Sequence, residues 1–116
     1  MTAYTLDKPL ILDRLGGDEE IFAMMIDMDL QDFENNCGTL ASALAAGDTP
    51  TLMREAHTVK GLLATFADED GAELAFALEQ QIKSNGIGDV ASRIPVLQAR
   101  IREVAEVLKA ELAGQA

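Results

Sequence analysis

The amino-acid sequence predicts an all-α fold, an antiparallel up-down four-helix bundle with a short N-terminal helix. Four long segments carry apolar residues at steps of three and four, the spacing that places side chains on one face of a helix. Hydrophobic residues make up 48% of the chain and aromatic residues only 4%, a composition rich in Ala and Leu that favours helices over strands. Because short loops separate the four segments, neighbouring helices are expected to pack antiparallel.

The first predicted element is a short helix over residues 7–15. Asp7 can cap its N-terminus, and Pro9 falls in the first turn, where proline is tolerated. The pair Gly16-Gly17 ends it. We expect this segment to be a lid over one end of the bundle.

The second predicted helix starts after Asp18, a good N-cap, and runs to about Ala46. Glu19 and Glu20 follow the cap, where negative charge favours the positive end of the helix dipole. Cys37 lies within the apolar stripe of this helix, so we interpret it as a small buried hydrophobe rather than a reactive thiol. The stripe predicts these core residues: Phe22, Ile26, Leu30, Phe33, Cys37, Leu40 and Leu44.

A second apolar group lies on the opposite face of the same helix. Ile21, Met24 and Met28 fall roughly 140 to 160° from the core stripe. Either the N-terminal segment folds back over them, or they form a docking surface that adapts to different proteins, as Met-rich surfaces do. Met53, on the following helix, is assigned to the same predicted docking surface.

The third predicted helix carries the sole histidine of the chain. Asp48 or Thr49 can cap it, and Pro50 fits its first turn. Its apolar stripe comprises Leu52, Ala56, Val59, Leu63 and Phe66. At ~100° per residue, His57 lies about 140° from the centre of that stripe, so its imidazole is predicted to face solvent.

The neighbours of His57 on the outer face are small or basic. Gly61 and Ala64 lie within about 40° of it, and Arg54 and Lys60 lie about 60° to either side. Small side chains leave the ring accessible to a bulky partner. The two cations would attract an anion held on the imidazole. Gly costs ~1 kcal/mol relative to Ala inside a helix, so its presence at position 61 needs a reason. We interpret Gly61 as the residue that leaves His57 accessible.

Two further helices complete the predicted bundle. The run Asp68-Glu69-Asp70 supplies a cap for the fourth, which stops at Ser84-Asn85-Gly86, and Asp89 is predicted to cap the fifth. Pro95 either kinks the fifth helix or separates its first turn. Phe76 projects away from the apolar stripe without an evident reason. The stripes are Leu74, Leu78 and Ile82 in the fourth helix, and Val90, Ile94, Leu97, Ile101, Val104, Leu108 and Leu112 in the fifth.

The residues around the histidine resemble a known family. The run His57-Thr58-Val59-Lys60-Gly61 is followed, 22 positions after His57, by Glu79 in Ala77-Leu78-Glu79. With the upstream Gly16-Gly17-Asp18 and Gly47-Asp48 signals, this pattern resembles the histidine-containing phosphotransfer (HPt) domain family over nearly the whole chain. Ala67 departs from it, because the family often has Gly ten positions after the histidine.

The resemblance implies a role for each residue of the motif. It makes His57 the phosphoacceptor, Lys60 the residue that steadies the phosphoryl oxygens, and Gly61 the residue that gives access. It also implies that the partners are a response-regulator receiver domain, whose aspartyl phosphate exchanges with the histidine, and a sensor histidine kinase. The chain would then be an intermediate carrier in a multistep phosphorelay of two-component signal transduction.

Several functions are disfavoured. The chain has no G-x-x-x-x-G-K-[ST] loop, so it is predicted to be a phosphocarrier and not an enzyme that uses ATP. The carboxylates near His57 do not form a metal cage; we expect no metal or cofactor, and any Mg²⁺ should come from the receiver domain. Nine basic against twenty acidic residues give a net charge of −11, which disfavours a nucleic-acid partner.

Location and domain organisation follow from the same features. No stretch approaches the ~20 apolar residues of a membrane span, and there is no signal-peptide pattern. Together with a single cysteine, this predicts a cytoplasmic protein with no membrane partner. We expect one domain over residues 1–116, with residues 1–16 as the lid and residues 18–112 as the bundle. A bundle that closes on itself is expected to be a monomer.

Two alternatives differ in class. A di-iron bundle needs repeated Glu-x-x-His pairs, whereas Glu55 stands only two residues before the sole histidine. A helical module that docks a receiver or kinase without being phosphorylated is the stronger rival, and in it His57 would be incidental.

Overall fold

The computed structural model describes residues 1–115 and contains five helices and no strand in that range. The helices are α1 (Lys8–Arg14), α2 (Glu19–Ala46), α3 (Thr49–Thr65), α4 (Glu69–Asn85) and α5 (Arg93–Gln115). Helix α3 packs against α2 and α4, and α5 packs against the same two helices, so the four long helices close into a bundle. The predicted all-α helical bundle with a short N-terminal helix is confirmed.

Aspartates begin four of the helices. The predicted caps of the first two are confirmed, and in the other two the cap is the first of the candidate residues that the sequence offered. Asp7, Asp18, Asp48 and Asp68 each precede a helix, and the side chain of each accepts a hydrogen bond from the backbone N–H three residues further on. Such caps satisfy donors that the first turn of a helix leaves without a partner. They therefore fix where each helix starts.

The predicted start of the last helix was wrong. Helix α5 begins at Arg93, and Asp89 lies in the preceding turn, where its carbonyl accepts a hydrogen bond from Gln81 Nε2 at 3.0 Å. Pro95 is therefore the third residue of α5. The N–H groups of the first turn make no hydrogen bond within the helix, so proline costs no helical hydrogen bond at this position. Of the two interpretations of Pro95, the separate first turn is correct.

The core consists of one face from each helix. Most predicted stripe residues are buried, but Leu30, Leu44, Leu74 and Leu112 are only half-buried. Asn36, Ala43 and Ala75 are buried instead. The newly buried residues lie in α2 and α4, so the buried faces of these two helices are slightly rotated from the predicted direction. The largest fully buried side chains are Phe22, Phe33, Phe66, Ile11, Ile26, Leu40, Leu52, Leu63, Leu78, Leu97, Ile101 and Leu108.

The N-terminal segment packs across the junction between α3 and α4. Tyr4 is buried, and its hydroxyl donates a hydrogen bond to the carbonyl of Phe66 at 2.9 Å. The carbonyl of Thr2 accepts a hydrogen bond from Arg100 Nη1 at 2.7 Å. Ile11 of α1 is 1% exposed, so this short helix contributes to the core. None of the helices described is long and apolar enough to cross a bilayer.

The bend between α3 and α4 forms around a left-handed alanine. Ala67 has a φ of 58°, the region that L-residues other than Gly, Asn and Asp rarely adopt. This is the position at which the sequence departs from the family pattern. The bend therefore forms with alanine, at the cost of local backbone strain.

Ala67→Gly is expected to stabilise the protein. Glycine relieves the left-handed strain, which costs roughly 1–2 kcal/mol for an L-residue, but it raises the entropy of the unfolded chain. We expect a net gain of about 0.5–1 kcal/mol in the free energy of unfolding, measured by urea denaturation. The control is Ala110→Gly, at an exposed helical position, which should lose about 1 kcal/mol. A loss for both variants would contradict the strain at Ala67.

Candidate functional site

His57 lies on the outer face of α3, and 67% of its side chain is exposed. The stripe residues Leu52, Ala56, Val59 and Leu63 of the same helix are each 0% exposed, so packing of the opposite face sets the direction of the imidazole. The predicted exposure of His57 is confirmed. An imidazole in this position can be reached by a group on another protein.

Glu79 of α4 contacts the ring of His57. Its Oε2 lies 3.2 Å from His57 Nδ1, and its Oε1 accepts a hydrogen bond from Lys60 Nζ at 2.9 Å. The Lys60 ammonium, followed by His57, holds the pKa of Glu79 below its usual range, although partial burial opposes this. Glu79 is therefore ionised near neutral pH and can only accept hydrogen bonds.

The ionisation of Glu79 determines the tautomer of the imidazole. Since a carboxylate has no proton to donate, Nδ1 of His57 carries the hydrogen of this contact. The lone pair of the neutral ring is then on Nε2. The motif spacing drew attention to Glu79, but the sequence did not identify its contacts with His57 and Lys60. They depend on how α3 and α4 pack.

Lys60 is less exposed than a typical surface lysine. Its side chain is 28% exposed, and its ammonium lies 5.2 Å from the centroid of the Phe76 ring. Phe76 lies one turn before Glu79 on α4, on the same side of that helix, and is 46% exposed. The sequence left this aromatic residue unexplained, and the structure places it beside the site.

The two small residues of the predicted site leave open space next to the histidine. A Cβ built on Gly61 would meet no atom within 4 Å, apart from its own helix backbone. Packing inside the chain therefore does not require glycine at this position. Ala64 is also exposed, and its carbonyl accepts a hydrogen bond from Arg14 Nη1 at 3.3 Å. Arg14 adds a cation at the edge of this face that the sequence did not suggest.

Arg54 lies one turn before His57 on α3 and is exposed. Within residues 1–115 its guanidinium has no hydrogen-bond or ion-pair partner. The side chain is thus free to turn toward an anion on the imidazole. Its assignment as a phosphoryl-stabilising residue stays a prediction.

The apolar group on α2 is exposed, so the N-terminal segment does not cover it. Ile21 is 46% exposed, and Met24 and Met28 are each 63% exposed. Met53, the fourth residue of the predicted docking surface, is half-buried against the core. The docking role of all four residues stays a prediction.

In the part of the chain that the structure describes, no three His, Cys, Asp or Glu side chains form a group that could hold a metal ion. Glu79, the acidic residue in contact with the imidazole, uses its two carboxylate oxygens to bind Lys60 Nζ and His57 Nδ1. The site thus consists of an exposed imidazole, one carboxylate in contact with its Nδ1 and with Lys60, and the exposed Arg54 one turn earlier on α3.

A helical bundle that presents such a histidine has the architecture of a phosphotransfer domain. The Hpt domain family model matches residues 24–111, and the chain belongs to this family. Hpt domains are phosphocarrier modules of two-component signalling rather than enzymes that use ATP. The fold is also similar to the Hpt domain of an Hpt sensor hybrid histidine kinase from Shewanella, with a TM-score of 0.80 and 19% identity over 94% of each chain. A comparison with curated protein sequences gave no match.

Proposed function

We propose that this protein accepts a phosphoryl group on Nε2 of His57 from the aspartyl phosphate of a receiver domain and passes it to another response regulator. A sensor histidine kinase is an alternative donor. The observation that supports the proposal is the contact of Glu79 with His57 Nδ1, because it leaves the lone pair on the exposed nitrogen. Family membership supports the general phosphotransfer role.

The proposed reaction exchanges one bond for another. The Nε2 lone pair attacks phosphorus, the P–O bond to the receiver's aspartate breaks, and that aspartate leaves as a carboxylate. The product is an N-phosphorylated imidazolium that keeps its hydrogen on Nδ1. The carboxylate of Glu79, 3.2 Å away, stabilises the positive charge that the ring gains. The reverse reaction returns the phosphoryl group to a receiver.

The positive charges of the site have a second role. The transition state of phosphoryl transfer is loose, and its charge lies on the equatorial oxygens, so catalysis consists mostly of positioning and charge stabilisation. Lys60 and Arg54, one turn after and one turn before His57, are proposed to contact these oxygens. Any Mg²⁺ that the reaction needs would be bound by the receiver domain. The exposed residues Ile21, Met24 and Met28, with Met53, are proposed to dock the partner.

The test is phosphoryl transfer from a purified receiver domain that carries labelled aspartyl phosphate. We expect label to appear on the chain in a form that is labile in acid and stable in base, as a phosphoramidate is. The rival docking module would bind the same receiver, as measured by calorimetry, without taking up label. Binding without label would therefore reject the phosphotransfer function.

Lys60→Ala is expected to slow transfer by about 1–3 kcal/mol in activation free energy, because it removes a charge-assisted contact to the phosphoryl oxygens. The rate is measured in single-turnover reactions at saturating receiver. Lys83→Ala, which removes an exposed lysine from the last turn of α4, is the matched control and should transfer at the wild-type rate. Equal rates for Lys60→Ala and wild type would exclude Lys60 from the reaction.

Gly61→Leu is expected to reduce transfer at least tenfold, about 1.4 kcal/mol, by blocking the approach of a receiver to His57. Gly38→Leu is the matched control, because Gly38 is also an exposed helical glycine with open space around it. Both variants should gain up to ~1 kcal/mol in the free energy of unfolding, since Leu is the better helix former. Only Gly61→Leu should lose transfer. If it transfers normally, the access role of Gly61 is wrong.

A further inference from the structure

Phe76 is a large apolar residue on the surface of α4, and its ring faces a charged group. It is 46% exposed, and the Lys60 ammonium of α3 lies 5.2 Å from its ring centroid. The same ammonium is 2.9 Å from Glu79 Oε1. Lys60 is thus held between an aromatic face and a carboxylate that are one turn apart on α4.

We propose that Phe76 is a positioning residue for phosphoryl transfer and that it acts by holding the Lys60 ammonium beside His57. This inference rests on the proposed function. An aromatic face attracts an ammonium group through its quadrupole, and the attraction grows when the ammonium has lost part of its hydration. Only 28% of the Lys60 side chain is exposed, and its ammonium contacts both Glu79 and Phe76, so these contacts replace part of its hydration.

The two partners of Lys60 differ in what they do to its charge. Glu79 neutralises the ammonium, so a phosphoryl group on His57 has to compete with that carboxylate for Lys60. Phe76 holds the ammonium without neutralising it. A lysine side chain has four rotatable bonds, and fixing them costs up to roughly 2 kcal/mol in entropy. Because the contact with Phe76 already fixes the Lys60 side chain before the phosphoryl group arrives, less of this entropy is lost during the transfer step.

A competing role for Phe76 is direct contact with the partner protein, since exposed aromatic residues are common in interfaces. The two roles differ in their dependence on Lys60. A positioning residue that acts through Lys60 has no effect once Lys60 is absent, whereas a docking residue keeps its effect. A double-mutant cycle between the two positions therefore separates them.

The experiment compares Phe76→Leu and Phe76→Tyr in the wild-type and the Lys60→Ala backgrounds. Leu keeps apolar bulk but lacks the aromatic face, and Tyr keeps the face. At saturating receiver we expect Phe76→Leu to slow single-turnover transfer about two- to fivefold. Phe76→Tyr should transfer at the wild-type rate. In the Lys60→Ala background, Phe76→Leu should change nothing. Val96→Ala, at a residue of equal 46% exposure on α5, is the control and should transfer normally.

Nuclear magnetic resonance of the lysine ε-methylene protons gives a readout that does not depend on transfer. In the wild type, the Lys60 resonance should be shifted upfield by the ring current of Phe76, relative to the exposed Lys109. Phe76→Leu should move it to the Lys109 position. An unshifted Lys60 resonance in the wild type would overturn the proposal, and so would a Phe76→Leu effect that persists without Lys60. Absence of label on the wild-type chain would instead reject the proposed function itself.

Discussion

His57→Gln is expected to abolish phosphoryl labelling of the chain completely. His57 is the sole histidine, so no second imidazole can take up the group. Glutamine is polar, fits a helix and can donate an amide hydrogen to Glu79, as the Nδ1–H of the imidazole does. The variant should therefore keep the helix content and urea midpoint of the wild type while it loses the nucleophilic nitrogen. The measurement is label retained on the chain after incubation with a phosphorylated receiver.

Two controls define what the loss means. Thr58→Ala changes the neighbouring exposed residue and should take up label at the wild-type rate. The His57→Gln variant should still bind the receiver with near wild-type affinity, because it leaves the proposed docking residues on α2, and Met53 on α3, unchanged. Base-stable label remaining on His57→Gln would show that another residue is phosphorylated and would reject His57 as the acceptor.

The direction of the His57 side chain could be predicted because it depends on one helix alone. Four apolar residues of α3 and Phe66, which caps its C-terminus, define the buried face. All five are 0% exposed: Leu52, Ala56, Val59, Leu63 and Phe66. Once that face is fixed, the 100° step per residue places His57, Lys60 and Gly61. The aspartate caps could be predicted for the same reason, since each involves only a backbone N–H three residues away.

The contacts between helices could not be predicted in this way. Glu79 meets His57 and Lys60 only because α3 and α4 pack in one particular register, and no local pattern contains that register. Phe76 looked misplaced because its partner, Lys60, is on another helix. Asn36 is similar: its amide donates to Glu55 of α3, while its Oδ1 has no hydrogen-bond partner in the part of the chain described.

The start of α5 shows the opposite error, in which periodicity predicted too much. Val90 is 0% exposed and lies four residues before the buried Ile94, so the apolar spacing continues across the boundary. The chain is nevertheless a turn at this point, closed by the hydrogen bond from Arg93 N to the carbonyl of Val90 at 2.9 Å. A single turn places side chains at a helix-like spacing, so the pattern cannot separate it from a helix.

A buried ion pair joins the α3–α4 junction to α5, and no feature of the sequence indicates it. Asp68 and Arg100, 32 residues apart, are 2% and 3% exposed. The guanidinium donates from Nη2 to Oδ1 at 2.6 Å and from Nε to Oδ2 at 2.9 Å. The hydrogen bond to Asp68 raises the pKa of Arg100 above its usual value. Asp68 also caps α4, and a Cβ on Gly71 would overlap its carboxylate.

Arg100→Met is expected to lower the free energy of unfolding by about 3–5 kcal/mol, because it leaves the carboxylate of Asp68 buried without a counter-charge. The loss is measured by urea denaturation monitored by circular dichroism. Arg102→Met, at an exposed position of the same helix, is the matched control and should change stability by no more than ~0.5 kcal/mol.

A second substitution separates the lost counter-charge from lost packing. Asp68→Asn in the Arg100→Met background removes the uncompensated charge, while the amide oxygen can still cap α4. The double variant should therefore be more stable than Arg100→Met alone, although asparagine keeps some unsatisfied polar atoms. If instead it is equally or less stable, the destabilisation comes from the missing arginine stem and its bond to the carbonyl of Thr2, not from the stranded carboxylate. The sign of this difference decides whether charge or packing holds α5 to the α3–α4 junction.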